Sequence, residues 1–298
     1  MPHAHTPRAL LALLVLSLIW GLNWIVMKQV IAYVDPFDFT AMRTVLGAAA
    51  LFGLLAVLGK PWRPGPVAPL MLLGLLQTGL FSLLIQLAVV YGGAGKAAVI
   101  TYTMPFWLLL LAWPLLGERV RGAQWAAVAF AALGLGLIIA PAGRVALGAG
   151  SLLPLAAGLT WALSAVLAKR IQARTPLDVL SMTAWQMLFG ALALCVVTPF
   201  LHQRPLLPTP YFFGALAFNA LCATASAWLL WLYALRHLSA GVAGLTSLAT
   251  PALSVALAWW LLGEVPSSAE QVGMVLIVAA LGMLSLLAIR AHRLAARA

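Results

Sequence analysis

The chain has 298 residues, of which 64% are hydrophobic and only 8% are charged, and its mean hydropathy is +1.06. A soluble domain of this length could not bury so much apolar surface, so the composition indicates a polytopic membrane protein. The formal net charge of +11 would suggest nucleic-acid binding in a soluble protein. Here the basic residues lie mainly in short connections between apolar runs, so we interpret them as topology signals and expect no nucleic-acid partner.

Ten apolar runs are long enough to cross a bilayer, which takes about twenty residues in a helix. The sequence therefore predicts an all-α integral membrane protein. The first run is too long for the core of a signal peptide, so we expect it to be retained as a helix. The predicted spans 1 to 10 are 9–31, 38–58, 67–90, 96–116, 122–140, 149–169, 178–200, 211–234, 241–262 and 269–289.

The chain contains an internal repeat. The stretch 101–118 recurs at 247–264 with Pro, Gly and Glu at matching places, 146 residues later. Further matches lie 141 residues apart and pair Trp20 with Trp161 and Lys28 with Lys169. These matches divide the chain into two five-helix repeats, 9–140 and 149–289. Since five is odd, the second repeat must enter the membrane from the opposite side, so the repeats are inverted.

The positive charges favour one orientation of this bundle. With both termini in the cytoplasm, twelve of the seventeen Lys and Arg residues lie on the cytoplasmic side, as expected for an inner-membrane protein of bacteria. The five basic residues assigned to the opposite side include Arg43. Asp35 and Asp38 also fall on that side, where we expect them to be solvated residues of a turn.

Spans 4 and 9 each carry a proline near their centre, Pro105 and Pro251. Because proline has no N–H and crowds the preceding turn, we expect two kinked helices in which the carbonyls of Thr101 and Ser247 lack helical partners. Backbone of this kind is tolerated in a membrane only where hydroxyls, water or neighbouring helices satisfy it. Paired kinks at midplane favour the walls of a transport site; the alternative is kinking for helix packing.

The sequence contains no recognisable enzyme motif. His-Glu-x-x-His, Gly-x-Ser-x-Gly and the phosphate-binding Gly-x-x-x-x-Gly-Lys-Ser/Thr pattern are all absent from it. Its two cysteines indicate neither a disulfide framework nor a metal site. We therefore expect no enzyme activity, no cofactor and no metal, and a membrane-embedded enzyme or scaffold is the alternative from another functional class.

Polar and aromatic side chains near the middle of the spans are candidates for a central site. Trp20 and Asn23 share one face of span 1, and Trp161 and Ser164 repeat this spacing in span 6. In hydrocarbon such groups need partners and should face the interior, although hydrogen bonding between packed helices would explain each one alone. The candidate substrate-binding residues are Trp20, Asn23, Gln77, Thr101, Tyr102, Trp161, Ser164 and Ser247, with Pro105 and Pro251 as kink or gating residues.

The charges missing from the spans restrict the substrate. No Asp or Glu lies in the middle of a span to bind a cationic drug, and no cluster of Lys or Arg is placed there to bind phosphates. Aromatic walls with neutral hydrogen-bonding groups favour a small amphipathic or zwitterionic solute, such as an amino acid.

The chain resembles the drug/metabolite transporter superfamily, and within it the ten-helix EamA branch and YddG-type amino-acid exporters. The resemblance rests on Ile19-Trp20-Gly21, on Leu159-Thr160-Trp161-Ala162, on the run 233–240 and on both Pro-to-Leu-Leu-Gly-Glu helices. It implies alternating access through a central cavity lined mainly by spans 1, 3, 4, 6, 8 and 9. It also implies export of amino acids and related metabolites, with export of drugs or other metabolites as the alternative.

Two further expectations concern energetics and assembly. Glu118 and Glu264 end their spans, where we expect them to bind local basic groups or backbone donors, so the sequence predicts a facilitator without proton coupling. Small residues recur through span 5 at Ala132, Gly136 and Ala140 and permit close helix contact. We expect this stripe to serve packing within a monomer, with a weak homodimer as the alternative.

Overall fold

The structure is a computed structural model that describes residues 6–92, 100–139, 149–201, 204–262, 265 and 267–295. Seven of its helices are long and apolar enough to cross a membrane, and three further apolar helices are shorter. Together they correspond to the ten predicted spans and confirm the all-α membrane fold.

The helices of the first half begin and end close to the predicted bounds. They are Thr6–Val30 (span 1), Pro36–Val57 (span 2), Val67–Gly74, Leu75–Leu80 and Phe81–Gly92 (span 3), Met104–Leu116 (the described helix of span 4) and Gln124–Ile139 (span 5). Those of the second half are Ala149–Arg174 (span 6), Val179–Val197 (span 7), Pro210–Phe218, Asn219–Ser226 and Ala227–His237 (span 8), Ala240–Thr246 and Ala249–Leu262 (span 9) and Ser268–Ala295 (span 10).

Helix packing follows the repeat. Span 1 packs against spans 8 and 9, and span 6 packs against spans 3 and 4. Span 2 packs against spans 7 and 8, span 7 against spans 2 and 3, and span 5 against span 10. Exchanging the halves leaves this pattern unchanged, as expected for two repeats related by a pseudo-two-fold axis.

Spans 2 and 7 begin with equivalent caps, in which an aspartate precedes the helix. The Asp35 carboxylate accepts a hydrogen bond from the Phe37 N–H, and the Asp178 carboxylate accepts from the Leu180 and Ser181 N–H groups. Asp35 is only 2% exposed, so the expectation of a solvated turn residue is wrong for it. Its side chain is buried because it satisfies the otherwise unpaired N–H groups of the helix start.

Glycine permits the closest helix contacts, where span 3 crosses span 7. A Cβ added to Gly190 would lie 2.3 Å from the Thr78 Cβ, and one added to Gly74 would lie 2.2 Å from the Gln186 carbonyl oxygen. At the related contact between spans 2 and 8, a Cβ on Gly47 would lie 3.1 Å from the Ala220 carbonyl oxygen. Small residues let membrane helices approach until their backbones touch.

Span 9 is interrupted rather than kinked, and the prediction of a continuous helix is wrong here. Its two helices are separated by a turn at Ser247 and Leu248, and Pro251 is the third residue of the second helix. The first N–H groups of a helix have no helical acceptor, so proline removes no bond at such a position. The Ser247 carbonyl also keeps a partner, because it accepts from the Thr250 N–H at 3.0 Å.

Span 4 has the equivalent interruption. Tyr102 and Thr103 form a turn, and Pro105 is the second residue of the helix Met104–Leu116. Both predicted kinks therefore mark the beginning of a half-helix. Interrupted helices in this arrangement are typical of transporter binding regions.

Spans 3 and 8 each contain a π-helical segment that sequence analysis missed, at Leu75–Leu80 and at Asn219–Ser226. Gln77 and Asn219 lie in these segments, and both are fully buried. A π-helical turn changes neither composition nor hydrophobic periodicity enough to be visible in one sequence. Such turns are rare and occur often at functional sites.

Candidate functional site

The two repeat-related tryptophans both contact span 8. The Trp20 Nε1–H donates to the Ala223 carbonyl oxygen at 3.1 Å, inside the π-helical segment where regular helical bonding is interrupted. The Trp20 ring also packs edge-on against Trp228, with 5.6 Å between centroids. In the second half, the ring centroid of Trp161 lies 4.5 Å from that of Trp231.

These four tryptophans form a row of two contacting pairs that are joined by span 8. Trp228 and Trp231 are three residues apart and therefore lie on one face of the helix Ala227–His237. The row connects the first span of one half to the first span of the other. Trp161 exposes only 1% of its surface, so it lies in the core in this conformation, whereas Trp20 is only partly buried.

A second aromatic contact places Tyr102 beside span 1. Its ring lies 6.1 Å from that of Trp24, and its hydroxyl faces the side chains of Trp24 and Ser254. The hydroxyl is buried and makes no hydrogen bond of ordinary geometry. The structure thus places Tyr102 of span 4 beside span 1, the helix that carries Trp20 and Asn23.

Several buried polar atoms of the spans have no hydrogen-bond partner. Gln77 uses neither its oxygen nor its nitrogen, and the side-chain oxygens of Asn23 and Asn219 are also unpaired. An unpaired buried polar group costs about 1–3 kcal/mol, so groups of this kind are expected where a solute or water binds. Of these residues, Asn219 was missed by sequence analysis because its place in the π-helical segment was not recognised.

The predicted hydroxyl groups mainly bind their own helices. The Ser164 hydroxyl donates to the Trp161 carbonyl at 2.7 Å, and the Ser247 hydroxyl donates to the Gly244 carbonyl at 2.6 Å. Such bonds satisfy a hydroxyl in hydrocarbon without any other helix. Thr101 is 3% exposed and precedes the turn in span 4.

Glu118 connects three spans at one end of the bundle. One carboxylate oxygen binds the Lys169 Nζ at 2.8 Å, and the other accepts from the Ala240 N–H at 2.6 Å. The carboxylate thus caps the first helix of span 9 and is paired with the end of span 6. The expectation of helix-end partners is confirmed for Glu118, while Glu264 lies outside the described residues.

An apolar groove of about 200 Å³ lies between spans 3 and 7, lined by Leu75, Leu76, Gly79, Leu80, Leu83, Ala193, Leu194 and Val197. It contains no polar side chain and so differs from the surroundings of span 1. Among the described residues, no group of three or more His, Cys, Asp or Glu side chains could hold a metal ion.

Comparison with known proteins decides the family. A model of the EamA-like transporter family matches residues 7–140 and again residues 148–286. The chain belongs to the EamA-like transporter family. It is therefore a multi-pass membrane transporter of small-molecule substrates, in agreement with the resemblance seen in the sequence.

Relatives of this EamA transporter match over most of their lengths. Uncharacterized transporter YoaV of Bacillus subtilis is 26% identical, over 86% of this chain and 89% of the relative. A probable amino-acid metabolite efflux pump of Salmonella typhimurium is 28% identical, over 91% and 92%. The uncharacterized inner membrane transporter YedA of Escherichia coli is 24% identical, over 92% and 90%.

A solved crystal structure of a protein shares the fold. It superposes with a TM-score of 0.83 at 22% sequence identity, covering 95% of this chain and 98% of the other. At this identity the likeness concerns the arrangement of the helices alone.

Proposed function

We propose that this EamA transporter exports amino acids, including aromatic and apolar ones, and related metabolites by alternating access. The observation that carries the proposal is the row of four tryptophans beside unpaired neutral polar groups. Aromatic faces suit apolar side chains, and neutral donors and acceptors suit the polar end of a zwitterion. The similar efflux pump of Salmonella typhimurium supports the same substrate class.

The proposed site contains Trp20, Asn23, Gln77, Thr101, Tyr102, Trp161, Ser164 and Ser247. Pro105 and Pro251 keep the half-helices of spans 4 and 9 separate, so that each half can tilt as the access side changes. Trp161 enters contact with substrate only when span 6 moves away from Trp231, because it is buried in the present conformation.

Counterflow in proteoliposomes tests the function directly. Vesicles loaded with unlabelled phenylalanine should accumulate labelled phenylalanine, and competition by leucine, serine and cationic drugs ranks the substrates. Exchange of drugs without amino acids would support broad drug export instead. Absence of exchange for every solute would contradict the assignment to this substrate class.

We also propose that the protein is a facilitator, which moves its substrate without coupling to protons. The acids described near the spans lie at helix ends, where Glu118 binds Lys169 and Asp178 binds Lys60. A mid-bilayer carboxylate retained for proton coupling is not among them. Amino acids should therefore move down their own gradient without an imposed pH difference, and uphill accumulation driven by a pH gradient would overturn this part.

The proposed orientation places both termini in the cytoplasm of a bacterial inner membrane. Single cysteines at exposed Arg63 and Arg204 would test it in a background where Cys195 and Cys222 are serine. An impermeant reagent should label position 204 and not position 63 in intact cells. The opposite pattern would reverse the topology.

A further inference from the structure

Arg43 is a cation inside span 2, although sequence analysis assigned it to the charges outside the membrane. It is the eighth residue of Pro36–Val57, about 10 Å from the start of the helix at 1.5 Å per residue. Its Nε is buried without a partner, and no hydrogen bond or ion pair joins it to another described residue. Intramembrane cations are retained for function and are expected to have a partner.

The neighbours of Arg43 on its helix fix the direction in which it lies. Phe39, one turn before, contacts Phe212 of span 8 with 6.3 Å between ring centroids. A Cβ on Gly47, one turn after, would lie 3.1 Å from the Ala220 carbonyl oxygen. Arg43 shares this stripe of the helix, so it lies at the level of span 8 between Phe212 and Ala220.

Asn219 of span 8 lies within this stretch, next to Ala220 and therefore at the end nearer to Gly47. Its side-chain nitrogen donates to the Ala215 carbonyl at 3.1 Å, which leaves the Oδ1 oxygen unpaired and fully buried. It is also the first residue of the π-helical segment.

Asn23 of span 1 lies beside the same part of span 8. Trp20, one turn before it, donates to the Ala223 carbonyl, and Met27, one turn after it, packs in a cluster with Leu216. Asn23 therefore lies beside span 8 near residues 219 and 220, and its Oδ1 is likewise buried and unpaired.

We propose that Arg43, Asn23 and Asn219 bind the amino-acid backbone of the substrate between spans 1, 2 and 8. The guanidinium supplies parallel N–H donors that match a carboxylate, and the two amide oxygens accept hydrogen bonds from an α-ammonium group. The substrate side chain then lies toward Trp20 and Trp228. This assignment rests on the proposed function and names the part of the substrate that every amino acid shares.

The assignment predicts which analogues are rejected. Phenylalaninamide lacks the carboxylate, and 3-phenylpropionate lacks the ammonium group. Wild-type protein should exchange each about tenfold more slowly than phenylalanine, because phenylalaninamide leaves the Arg43 guanidinium without its partner and 3-phenylpropionate leaves the two asparagine oxygens without theirs.

Counterflow with Arg43→Gln and Arg43→Lys tests the cation. We expect Arg43→Gln to slow phenylalanine at least about tenfold while leaving phenylalaninamide unchanged, so that the two exchange at similar rates. Arg43→Lys should restore part of the preference, because it retains the charge without the paired donors. Asn23→Ala and Asn219→Ala should instead reduce the discrimination against 3-phenylpropionate.

Two controls separate folding from binding. Arg63→Gln removes an equal charge from an exposed position and should leave every rate unchanged, and thermal unfolding in detergent verifies that each variant is folded. If Arg43→Gln slows phenylalanine and phenylalaninamide equally while folded, or slows neither, the assignment is wrong.

A failure of the proposed function would have a different pattern. Wild-type protein would then exchange no amino acid, and the Arg43 site is tested by stabilisation of purified protein against heating. Non-amino-acid carboxylates should stabilise the wild type more than their amides do, and Arg43→Gln should abolish this difference. Equal stabilisation by carboxylates and amides would overturn the carboxylate site itself.

Discussion

Spans 3 and 8 occupy equivalent places in the two halves, and they share a backbone but not a chemistry. Each contains a π-helical segment and lies against a glycine of the opposite half, Gly190 for span 3 and Gly47 for span 8. Past these segments, span 8 carries Trp228 and Trp231, which contact the tryptophans of spans 1 and 6.

The corresponding part of span 3 contains no tryptophan. In the register that matches Tyr91 with Tyr233, the position of Trp228 is held by Gln86, whose amide donates to the Thr40 hydroxyl at 2.8 Å. The repeat thus preserves helix irregularity and close packing, while the aromatic surface is concentrated on span 8. A symmetric scaffold carries an asymmetric candidate site.

The largest expected effect concerns the shared backbone. Gly190→Ala would place its Cβ 2.3 Å from the Thr78 Cβ and 2.7 Å from the Gly74 carbonyl oxygen, so spans 3 and 7 must separate. We expect little folded protein in detergent by size-exclusion chromatography. At Gly47 the added Cβ would lie 3.1 Å from the Ala220 carbonyl oxygen. Gly47→Ala should therefore be milder and lower the stability by about 1–3 kcal/mol.

Gly136→Ala is the matched control for both variants, because no described residue outside its own helix comes within 4 Å of its added Cβ. Its elution and melting temperature should match those of the wild type. Equal tolerance of Ala at positions 190 and 136 would mean that spans 3 and 7 are not closely packed.

The two repeat-related tryptophans should differ in the kind of damage. Trp161→Ala removes a fully buried ring and should cost about 3–5 kcal/mol of stability, measured as the melting temperature in detergent. Trp20→Ala should leave the protein folded but slow counterflow of phenylalanine more than that of serine, with a lost contact of about 1 kcal/mol. Equal losses for both amino acids in folded Trp20→Ala would argue against contact with the substrate side chain.

The interrupted spans predict a rate effect with little change in stability. Pro105 and Pro251 lie in first helical turns, so Pro105→Ala and Pro251→Ala should change stability by less than about 1 kcal/mol. We expect slower counterflow, since alanine permits the two half-helices to join. Pro114→Ala, inside Met104–Leu116 and exposed, is the control and should transport normally; unchanged rates in both test variants would limit these prolines to packing.

The smallest expected effect is on the surface pair of Lys60 and Asp178, whose atoms are 2.7 Å apart. Burial alone would raise the pKa of Asp178, but the hydrogen bonds and charge of Lys60 and the Ser181 and Leu180 N–H groups outweigh it and lower the pKa below its ordinary value of 3.8. The ionised form therefore stabilises the fold above the ordinary pKa, and this contribution is lost as pH falls through the lowered pKa.

Asp178→Asn keeps a capping oxygen while it removes the charge. Because the pair is well exposed, we expect a loss of about 0.2–1 kcal/mol at neutral pH. The difference between wild type and variant should disappear in strong acid. A difference in melting temperature that persists there would assign the effect to the cap rather than to the charge.

The class of the protein, its ten spans and its family could all be predicted from the amino-acid sequence. Hydrophobic runs record the thickness of the bilayer, and the recurrence of Trp20, Pro105 and Glu118 in the second half records the repeat. The pairing of Glu118 with a basic group and a backbone donor was also predictable, because its place at a helix end restricts its partners. These properties depend on composition and spacing along one chain.

Which polar groups lie together could not be predicted from the sequence, because it depends on how the spans pack. Three features depend on neighbouring spans that are far away in sequence. They are the turn before the half-helix of Pro251, the π-helical segment at Asn219 and the burial of Trp161 against Trp231. Arg43 is the clearest case, because the sequence does not distinguish an arginine in a loop from one inside the helix bundle. Its surroundings come from Phe39 and Gly47 fitting against span 8, because close packing between helices fixes the level at which side chains meet.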